Sequence, residues 1–403
     1  MEAPIKTKPK LVRITTISMA LEKLLTGQLR FMQENGFDVY MISSNTEKAT
    51  QLSNREKSTF IPVNMTRVIS PLSDLVSLYK LVRVFLQLKP DIVHSHTPKA
   101  GLLGMWAAKI AGVPVRLHTV AGLPLMETTG IKRKVLDIVE RITLMGATKV
   151  FTVSINLKTY ILKHKYCKPE KLKVIGNGST NGINSSHFSL TDDLIEKASK
   201  IKKEYNILDN QFVFIFIGRV VQDKGIVELI EAFSMLKKDY PFIRLMLVGP
   251  FEPETDPIPK ETIVAIQIDP SIIHAGYQDD VRPFLAASQV LAFPSYREGL
   301  PNVPMQAGCL NIPSIVTNIN GCNEIIENGI NGLLIEPKNV IELYGAMKQM
   351  ITDETLYNKC KQNARSIIVN KYDQQHLWNL ILDEYHQALQ TKHIFTSSTQ
   401  QTA

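Results

Sequence analysis

Two cations that could bind a phosphate follow a strand-like segment in the second half of the chain. Phe212–Ile217 is wholly apolar, as expected for a buried parallel strand, and Gly218, Arg219 and Lys224 come soon after it. Ligands of doubly wound α/β folds bind at the carboxyl ends of the strands. Two cations there would hold a diphosphate and stabilise it as it leaves. An arginine and a lysine that cap a surface turn remain the alternative.

A second candidate segment joins a strand, a glycine loop and a helix. The strand pattern ends at Phe293, and Glu298, Gly299 and Leu300 precede a helix predicted to begin near Asn302. The free backbone N–H groups at a helix N-terminus form an anion site. Glu298 would repel a phosphate, so it is better suited to accept hydrogen bonds from sugar hydroxyls. A capped helix with an exposed glutamate is the other interpretation.

The rest of the chain predicts the elements that position these residues. Short β-branched runs alternate with helical periodicity, which is typical of parallel α/β layers. One helix is predicted from residue 21 to residue 32, ended by Gly36. We therefore predict two open sheets joined near residue 190, with a cleft between them. The predicted strands are 12–17, 37–43, 91–94, 114–119, 149–153, 212–217, 243–248, 272–275, 290–293 and 314–317.

Length and composition narrow the class of protein. A chain of 403 residues favours two domains, and 44% hydrophobic with 21% charged residues is ordinary for a soluble globular protein. Four scattered cysteines without a C-x-x-C pair are expected to be reduced thiols in a cytoplasmic protein. The net charge of +8 suits anionic ligands or an acidic membrane surface. Nucleic acid is not an expected partner, since no recognition motif accompanies the charge.

One segment suggests membrane contact. Residues 131–149 mix apolar side chains with cations and begin with Lys132, Arg133 and Lys134. Such a helix either rests on the anionic inner face of the cytoplasmic membrane or packs against its own sheet. The sequence leaves both interpretations open.

Taken together, the two candidate segments resemble the motifs of retaining glycosyltransferases with the GT-B fold, in glycosyltransferase family 4. The resemblance covers most of the chain and is strongest in its C-terminal half. It extends to the segments VIGNG (174–178), GCNEIIENG (321–329) and NGLL (331–334).

The resemblance implies a domain organisation and a reaction. It implies an acceptor-binding Rossmann-like domain over 1–188, a donor-binding one over 189–372, a helix over 373–390 that crosses back, and a polar tail over 391–403. The reaction would move a hexosyl or N-acetylhexosaminyl group from a nucleotide sugar to a glycan, with retained anomeric configuration. UDP is the favoured nucleotide and GDP remains open. Similar bacterial enzymes of capsule or O-antigen assembly use polyprenyl-diphosphate acceptors.

The resemblance also assigns roles to the donor-site residues. Arg219 and Lys224 would contact the diphosphate, with the backbone of Gly299 and Leu300 on its other side, and Glu298 would bind hydroxyls of the donor sugar. Neither a metal nor a cofactor is expected, and the chain contains no D-x-D motif.

One donor-site position departs from the family pattern. The family usually has a second glutamate eight residues after the first, where this chain has Gln306. The loss of a charge-assisted hydrogen bond there predicts weaker or reorganised nucleotide binding, with loss of activity as the extreme.

The acceptor half carries fewer family features. The family often has a cleft histidine where this chain has Ala121, and His118 stands three residues earlier. His118 is thus a candidate catalytic residue, with a buried structural histidine as the alternative.

A further polar segment lies between a predicted strand and a predicted helix. His94, His96, Thr97 and Lys99 are expected to line the cleft floor and contact the acceptor. A metal is disfavoured here, because no carboxylate or cysteine accompanies the two histidines.

Two rival functions remain. A non-catalytic sugar-nucleotide-binding partner of a polysaccharide assembly complex would explain Gln306 and Ala121. A GT-B hydrolase or epimerase of nucleotide sugars would release nucleotide without any acceptor.

Overall fold

The computed structural model describes residues 8–66, 70–254 and 256–400, without the side chains of Pro124, Glu127 and 392–400. Contacts divide the chain into two compact units. Unit 1 comprises Met1–Gly182 together with Gln374–Ala403, and unit 2 comprises Ile183–Asp373. No helix among the described residues is both long and apolar enough to cross a membrane.

Unit 1 is built on a parallel sheet of seven strands in the order β3-β2-β1-β4-β5-β6-β7. Its strands are Lys10–Ile14 (β1), Asp38–Ser43 (β2), Thr59–Pro62 (β3), Ile92–His96 (β4), Val115–Val120 (β5), Lys149–Thr152 (β6) and Leu172–Val174 (β7). Its helices are Ser18–Leu24 (α1), Gln28–Glu34 (α2), Ala49–Glu56 (α3), Pro71–Leu88 (α4), Pro98–Ile110 (α5), Gly130–Gly146 (α6), Ile155–Lys163 (α7) and Gln374–Gln400 (α16).

The two faces of this sheet are covered by different helices. Gly104 of α5 lies against the side chains of Ile14 and Ser95, and α5 also contacts α4 and α6. On the other face, α16 buries Leu377 and Ile381 in a core shared with α2. The predicted polar tail, 391–403, falls on the end of α16 and on 401–403, which lie outside the described residues.

Unit 2 is built on a parallel sheet of six strands in the order β10-β9-β8-β11-β12-β13. Its strands are Phe212–Ile217 (β8), Ile243–Val248 (β9), Ile272–Gly276 (β10), Val290–Phe293 (β11), Ser314–Thr317 (β12) and Gly332–Ile335 (β13). Its helices are Asp192–Glu204 (α8), Ile226–Asp239 (α9), Lys260–Ile268 (α10), Arg282–Ala286 (α11), Asn302–Cys309 (α12), Cys322–Ile325 (α13), Val340–Thr352 (α14) and Glu354–Tyr372 (α15).

The predicted parallel sheets are confirmed, and two details differ from the prediction. Strands β3, β7 and β13 were not predicted; each has only three or four residues and lies at a sheet edge. The single helix predicted from 21 to 32 is in fact α1 and α2, which are separated at Gly27. Gly27 has φ +78°, and an added Cβ would lie 2.8 Å from the Trp378 ring, so the chain turns there.

Candidate active site

The donor-site motifs lie where the strand order of unit 2 reverses. Strand β8 pairs with β9 on one side and with β11 on the other, so the chain leaves β8 and β11 in opposite directions along the sheet. Such a switch point opens a crevice at the carboxyl ends of the strands. Arg219 and Lys224 follow β8, and Glu298 follows β11.

Lys224 and Glu298 are in direct contact. Lys224 Nζ lies 2.6 Å from Glu298 Oε1, and each side chain is only 15% exposed. Lys224 Nζ also lies 3.4 Å from Ser295 Oγ. Because the pair is mostly removed from water, each charge fixes the position of the other more strongly than a surface ion pair would.

A tight turn holds Lys224 in this position. The turn Gln222–Lys224 ends at Gly225, which has φ +71°. A Cβ at Gly225 would lie 2.1 Å from the carbonyl oxygen of Pro294. Tyr296 N also donates to Asp223 O at 2.9 Å, so the turn after β8 is tied to the loop after β11.

Replacing Gly225 with alanine is therefore expected to destabilise the protein by at least about 2 kcal/mol. The left-handed backbone costs an alanine roughly 1–2 kcal/mol, and relief of the contact with Pro294 adds to that. Gly345→Ala is the matched control, because no atom lies within 4 Å of its added Cβ in α14 and alanine favours a helix. Urea unfolding measures both, and equal stability of the two variants would contradict the expectation.

The backbone after Glu298 is fixed from the segment that follows β12. Asn320 Nδ2 donates to the carbonyl oxygens of Glu298, at 2.9 Å, and of Gly299, at 2.7 Å. Gly321, with φ +79°, allows this approach, since a Cβ there would lie 2.2 Å from Gly299 O. The sequence analysis missed Asn320, although it directly precedes a segment that carries the family resemblance.

This anchoring leaves the loop amides available. Within the described residues, the N–H groups of Gly299 and Leu300 donate to no protein acceptor. They precede α12, where Asn302 and Val303 also carry N–H groups that lack an intrahelical acceptor. The loop can thus bind an anion next to the Lys224 ammonium.

The other two predicted donor residues lie outside the ion pair. Arg219 Nη1 contacts Glu252 Oε2 at 3.0 Å, and both side chains are more than a third exposed. Gln306 is partly buried on α12, four residues beyond Asn302. The structure therefore brings Lys224, Glu298 and the loop before α12 together. Arg219 instead contacts Glu252, in the segment after β9.

In unit 1, His94 and His96 belong to a buried polar cluster around Arg13. Arg13 is fully buried and donates to Tyr385 Oη at 2.7 Å and to Gln28 Oε1 at 2.6 Å. Arg13 Nη2 lies 2.9 Å from His96 Nε2, which must accept, so His96 carries its proton on Nδ1. His94 Nδ1 lies 2.7 Å from Tyr385 Oη.

The cluster keeps both histidines neutral. Burial lowers the pKa of His94 and of His96 well below the ordinary range, and the Arg13 charge lowers both pKa values further. Arg13 itself has no carboxylate in hydrogen-bonding contact among the described residues. A protonated histidine would therefore add a second buried cation.

His118 lies on the opposite face of the sheet. Its Nδ1 is 2.8 Å from Ser95 Oγ, and its ring contacts α5, where a Cβ at Gly101 would lie 2.4 Å from His118 Cε1. The side chain is 3% exposed, and burial lowers its pKa to about 4. The catalytic role suggested for His118 stays a prediction.

Thr97 and Lys99 lie beside an open pocket of about 450 Å³ at the carboxyl edge of the first sheet. Lys23 and the apolar side chains of Ile17 and Met19 also line this pocket. Lys99 Nζ binds the carboxylate of Asp74 in α4 at 2.6 and 2.7 Å. His94 and His96 line a separate space of about 10 Å³, so the four predicted acceptor residues form two groups.

Two Rossmann-like parallel sheets, one of which holds a lysine, a glutamate and free loop amides at its switch point, define a GT-B glycosyltransferase. Residues 197–367 match the family model for glycosyl transferases group 1, and residues 23–178 match the model for the glycosyl transferase 4-like domain. The chain belongs to this family of glycosyltransferases.

Individual relatives agree with this membership. The chain is 33% identical to the capsular polysaccharide biosynthesis glycosyltransferase CapM of Staphylococcus aureus, over 93% of this chain and 96% of the relative. It is 29% identical to an Escherichia coli UDP-Gal:alpha-D-GlcNAc-diphosphoundecaprenol alpha-1,3-galactosyltransferase, over 91% of this chain and 94% of the relative.

A solved structure supports the fold. The crystal structure of a glycosyltransferase from Rickettsia africae superposes with a TM-score of 0.78 at 22% identity, over 95% of this chain and 99% of that one. The predicted family and the GT-B fold are confirmed, and the chain is a glycosyltransferase, as predicted.

Proposed function

We propose that this glycosyltransferase moves a hexosyl or N-acetylhexosaminyl group from a UDP-sugar to a polyprenyl-diphosphate-linked glycan in cell-surface polysaccharide biosynthesis. The two relatives described above support this proposal, since one acts in capsule synthesis and the name of the other specifies a UDP-sugar and a diphosphoundecaprenol acceptor. A lipid-linked acceptor brings the enzyme to the inner face of the cytoplasmic membrane.

The observation that carries the proposal is the Lys224–Glu298 contact beside the loop amides. The donor diphosphate binds the Lys224 ammonium and the N–H groups of Gly299 and Leu300. Glu298 then accepts hydrogen bonds from the donor sugar, with its second oxygen or with both. Gln306 contacts the nucleotide through its amide.

The same groups support transfer that needs no metal ion. Negative charge develops on the diphosphate as the glycosidic bond breaks. Lys224, the loop amides and Arg219, once it exchanges Glu252 for phosphate, place positive charge at those oxygens. Retention follows from the family resemblance.

Unit 1 holds the acceptor at the pocket beside Thr97 and Lys99. Its apolar wall suits the first isoprene units, and Lys23 with Lys99 suits the acceptor diphosphate. His94 and His96 line a separate space in the buried cluster around Arg13, so their contact with the acceptor stays a prediction.

Transfer of label from a panel of UDP- and GDP-sugars into polyprenyl-diphosphate glycans, with EDTA present, tests the proposal. We expect labelled lipid with one UDP-sugar, and NMR of the product should show the donor's anomeric configuration. Labelled lipid that requires a divalent metal would contradict metal independence. Nucleotide release without acceptor would favour a hydrolase. Nucleotide binding with neither transfer nor nucleotide release would favour a non-catalytic partner.

A further inference from the structure

Two long helices of unit 1 expose large apolar side chains along their length. On α6 these recur every three or four residues, so they form one continuous stripe. Burial in water-excluding surroundings would stabilise each of them, yet no element within the described part of the chain covers them. The exposed apolar residues are Leu72, Leu75, Val76, Tyr79 and Leu86 on α4 and Ile131, Val135, Ile138, Ile142 and Met145 on α6.

The exposed charges on these two helices have one sign. Those of α4 and α6, both wholly described, are Lys80, Arg83, Lys132, Lys134 and Arg141.

The acidic residues of both helices are paired or buried. Asp74 binds Lys99, Asp137 contacts Arg133 and Tyr166, and Glu140 is buried. Asp137 keeps the largest exposure of these acids, at 30% of its side chain, so cations predominate over acids on this surface.

An ordinary exposed helix of the same protein looks different. Helix α8 of unit 2 exposes one large apolar side chain, Ile195, among acids and bases that pair along the helix, such as Asp193 with Lys197. Such a surface is well solvated by water and requires no partner. The composition of α4 and α6 therefore differs from that of a solvated helix such as α8.

A cationic pocket continues the α6 stripe at its C-terminal end. The pocket, about 1010 Å³ in volume, is lined by Met145 and Arg141 of α6 together with Lys165, Lys168 and Lys171. One acid, Glu170, also lines it. Anionic head groups fit such a pocket, while acyl chains fit the stripe beside it.

We propose that the surface formed by α4, α6 and this pocket docks unit 1 onto an anionic lipid bilayer. A second copy of the chain is a poorer occupant, because it would bring the same cations face to face without an exposed acid on either helix to pair with them. Interfacial helices that bind anionic leaflets combine an apolar face with lysine and arginine in this way.

The inference rests on the proposed function, because a lipid-linked acceptor is what brings the enzyme to a bilayer. Asp74 in the first turn of α4 binds Lys99, so the docking surface adjoins the acceptor pocket. A lipid-linked acceptor would enter this pocket from the bilayer on which the enzyme rests.

Flotation of the full chain with vesicles tests the docking surface. We expect binding to phosphatidylcholine vesicles that contain phosphatidylglycerol and weak binding to phosphatidylcholine alone. The double variant Leu75→Glu/Ile138→Glu should bind the anionic vesicles at least about tenfold more weakly, since two apolar contacts are lost. Lys132→Glu/Lys134→Glu should have a similar effect that added salt diminishes.

Ile195→Glu on α8 is the matched control, with the same change at a similar exposure, and should bind like wild type. Thermal unfolding of each variant checks that the fold is kept. Wild type that binds neither vesicle, or Leu75→Glu/Ile138→Glu that binds like wild type, would overturn the inference. A wild-type dimer that this variant dissociates, with vesicle binding unchanged, would assign the surface to a second copy.

A transfer assay with acceptor dissolved in detergent separates this inference from the proposed function. We expect Leu75→Glu/Ile138→Glu to retain transfer there, because no bilayer is needed. If wild type binds vesicles but transfers no sugar, the proposed function alone is contradicted. If wild type transfers sugar but binds no vesicles, the docking surface alone is contradicted.

Discussion

Lys224→Ala is expected to lower kcat for glycosyl transfer by about 10²–10³-fold, the usual cost of removing one preorganised group that stabilises developing charge. The variant also leaves the Glu298 carboxylate, which is 15% exposed, without its cation at 2.6 Å. Glu298→Ala should lose a similar or larger factor. Because the two side chains position each other, the double variant should be little worse than either single one.

Lys237→Ala provides the control. It breaks another lysine–carboxylate pair of unit 2, in which Lys237 Nζ lies 2.5 Å from Asp269 Oδ1, away from the carboxyl edge of the sheet. Its kcat should match wild type. Steady-state assays with saturating donor separate kcat from KM; unchanged kcat in Lys224→Ala would refute the donor-site assignment.

The stability of the protein is expected to fall steeply as the pH drops below about 6.5, the ordinary pKa of histidine. His94, His96 and His118 have pKa values lowered by burial, that of His118 to about 4, so they stay neutral in the folded state. The unfolded chain takes up these protons first, so acid favours unfolding. Each histidine contributes up to about 1.4 kcal/mol per pH unit, so the three contribute roughly 4 kcal/mol per pH unit. Buried Glu140, whose pKa is raised to about 7, binds its proton first in the folded state and offsets about one histidine's share.

Urea unfolding at a series of pH values between about 7 and 5 measures this slope. His118→Gln should reduce the histidine part of the slope by about a third, since one proton uptake is removed. Equal slopes for wild type and His118→Gln would show that His118 is protonated alike in both states.

The sequence predicted what local patterns encode. Buried strands such as β8 are runs of apolar residues, and both donor segments stand directly after such strands, so their place at the sheet edge followed from the fold class. Helix breaks and short edge strands were missed. Gly27 was the local signal for its helix break, but the close approach of Trp378, which is far away in sequence, was not predictable.

The polar cluster of unit 1 shows why side-chain contacts between distant segments could not be predicted. Arg13 stands inside a strand pattern, where an arginine is expected to point to solvent, and its partners Gln28, His96 and Tyr385 come from three distant segments. Asn320 likewise acts through two carbonyl oxygens of a different loop. Such contacts depend on tertiary packing, which a single sequence does not reveal.

The split of unit 1 between the two ends of the chain sets an order for its synthesis. Arg13 leaves the ribosome before unit 2 does, but Tyr385, which binds its guanidinium, comes after the whole of unit 2. Until then the core beneath α16, including Leu377 and Ile381, is incomplete. Unit 2 is continuous in sequence and has all its strands before that point. Unit 1, whose synthesis begins first, is therefore the unit that finishes folding last. Loss of α16 would leave the Arg13 guanidinium without Tyr385 and the core of unit 1 without its cover.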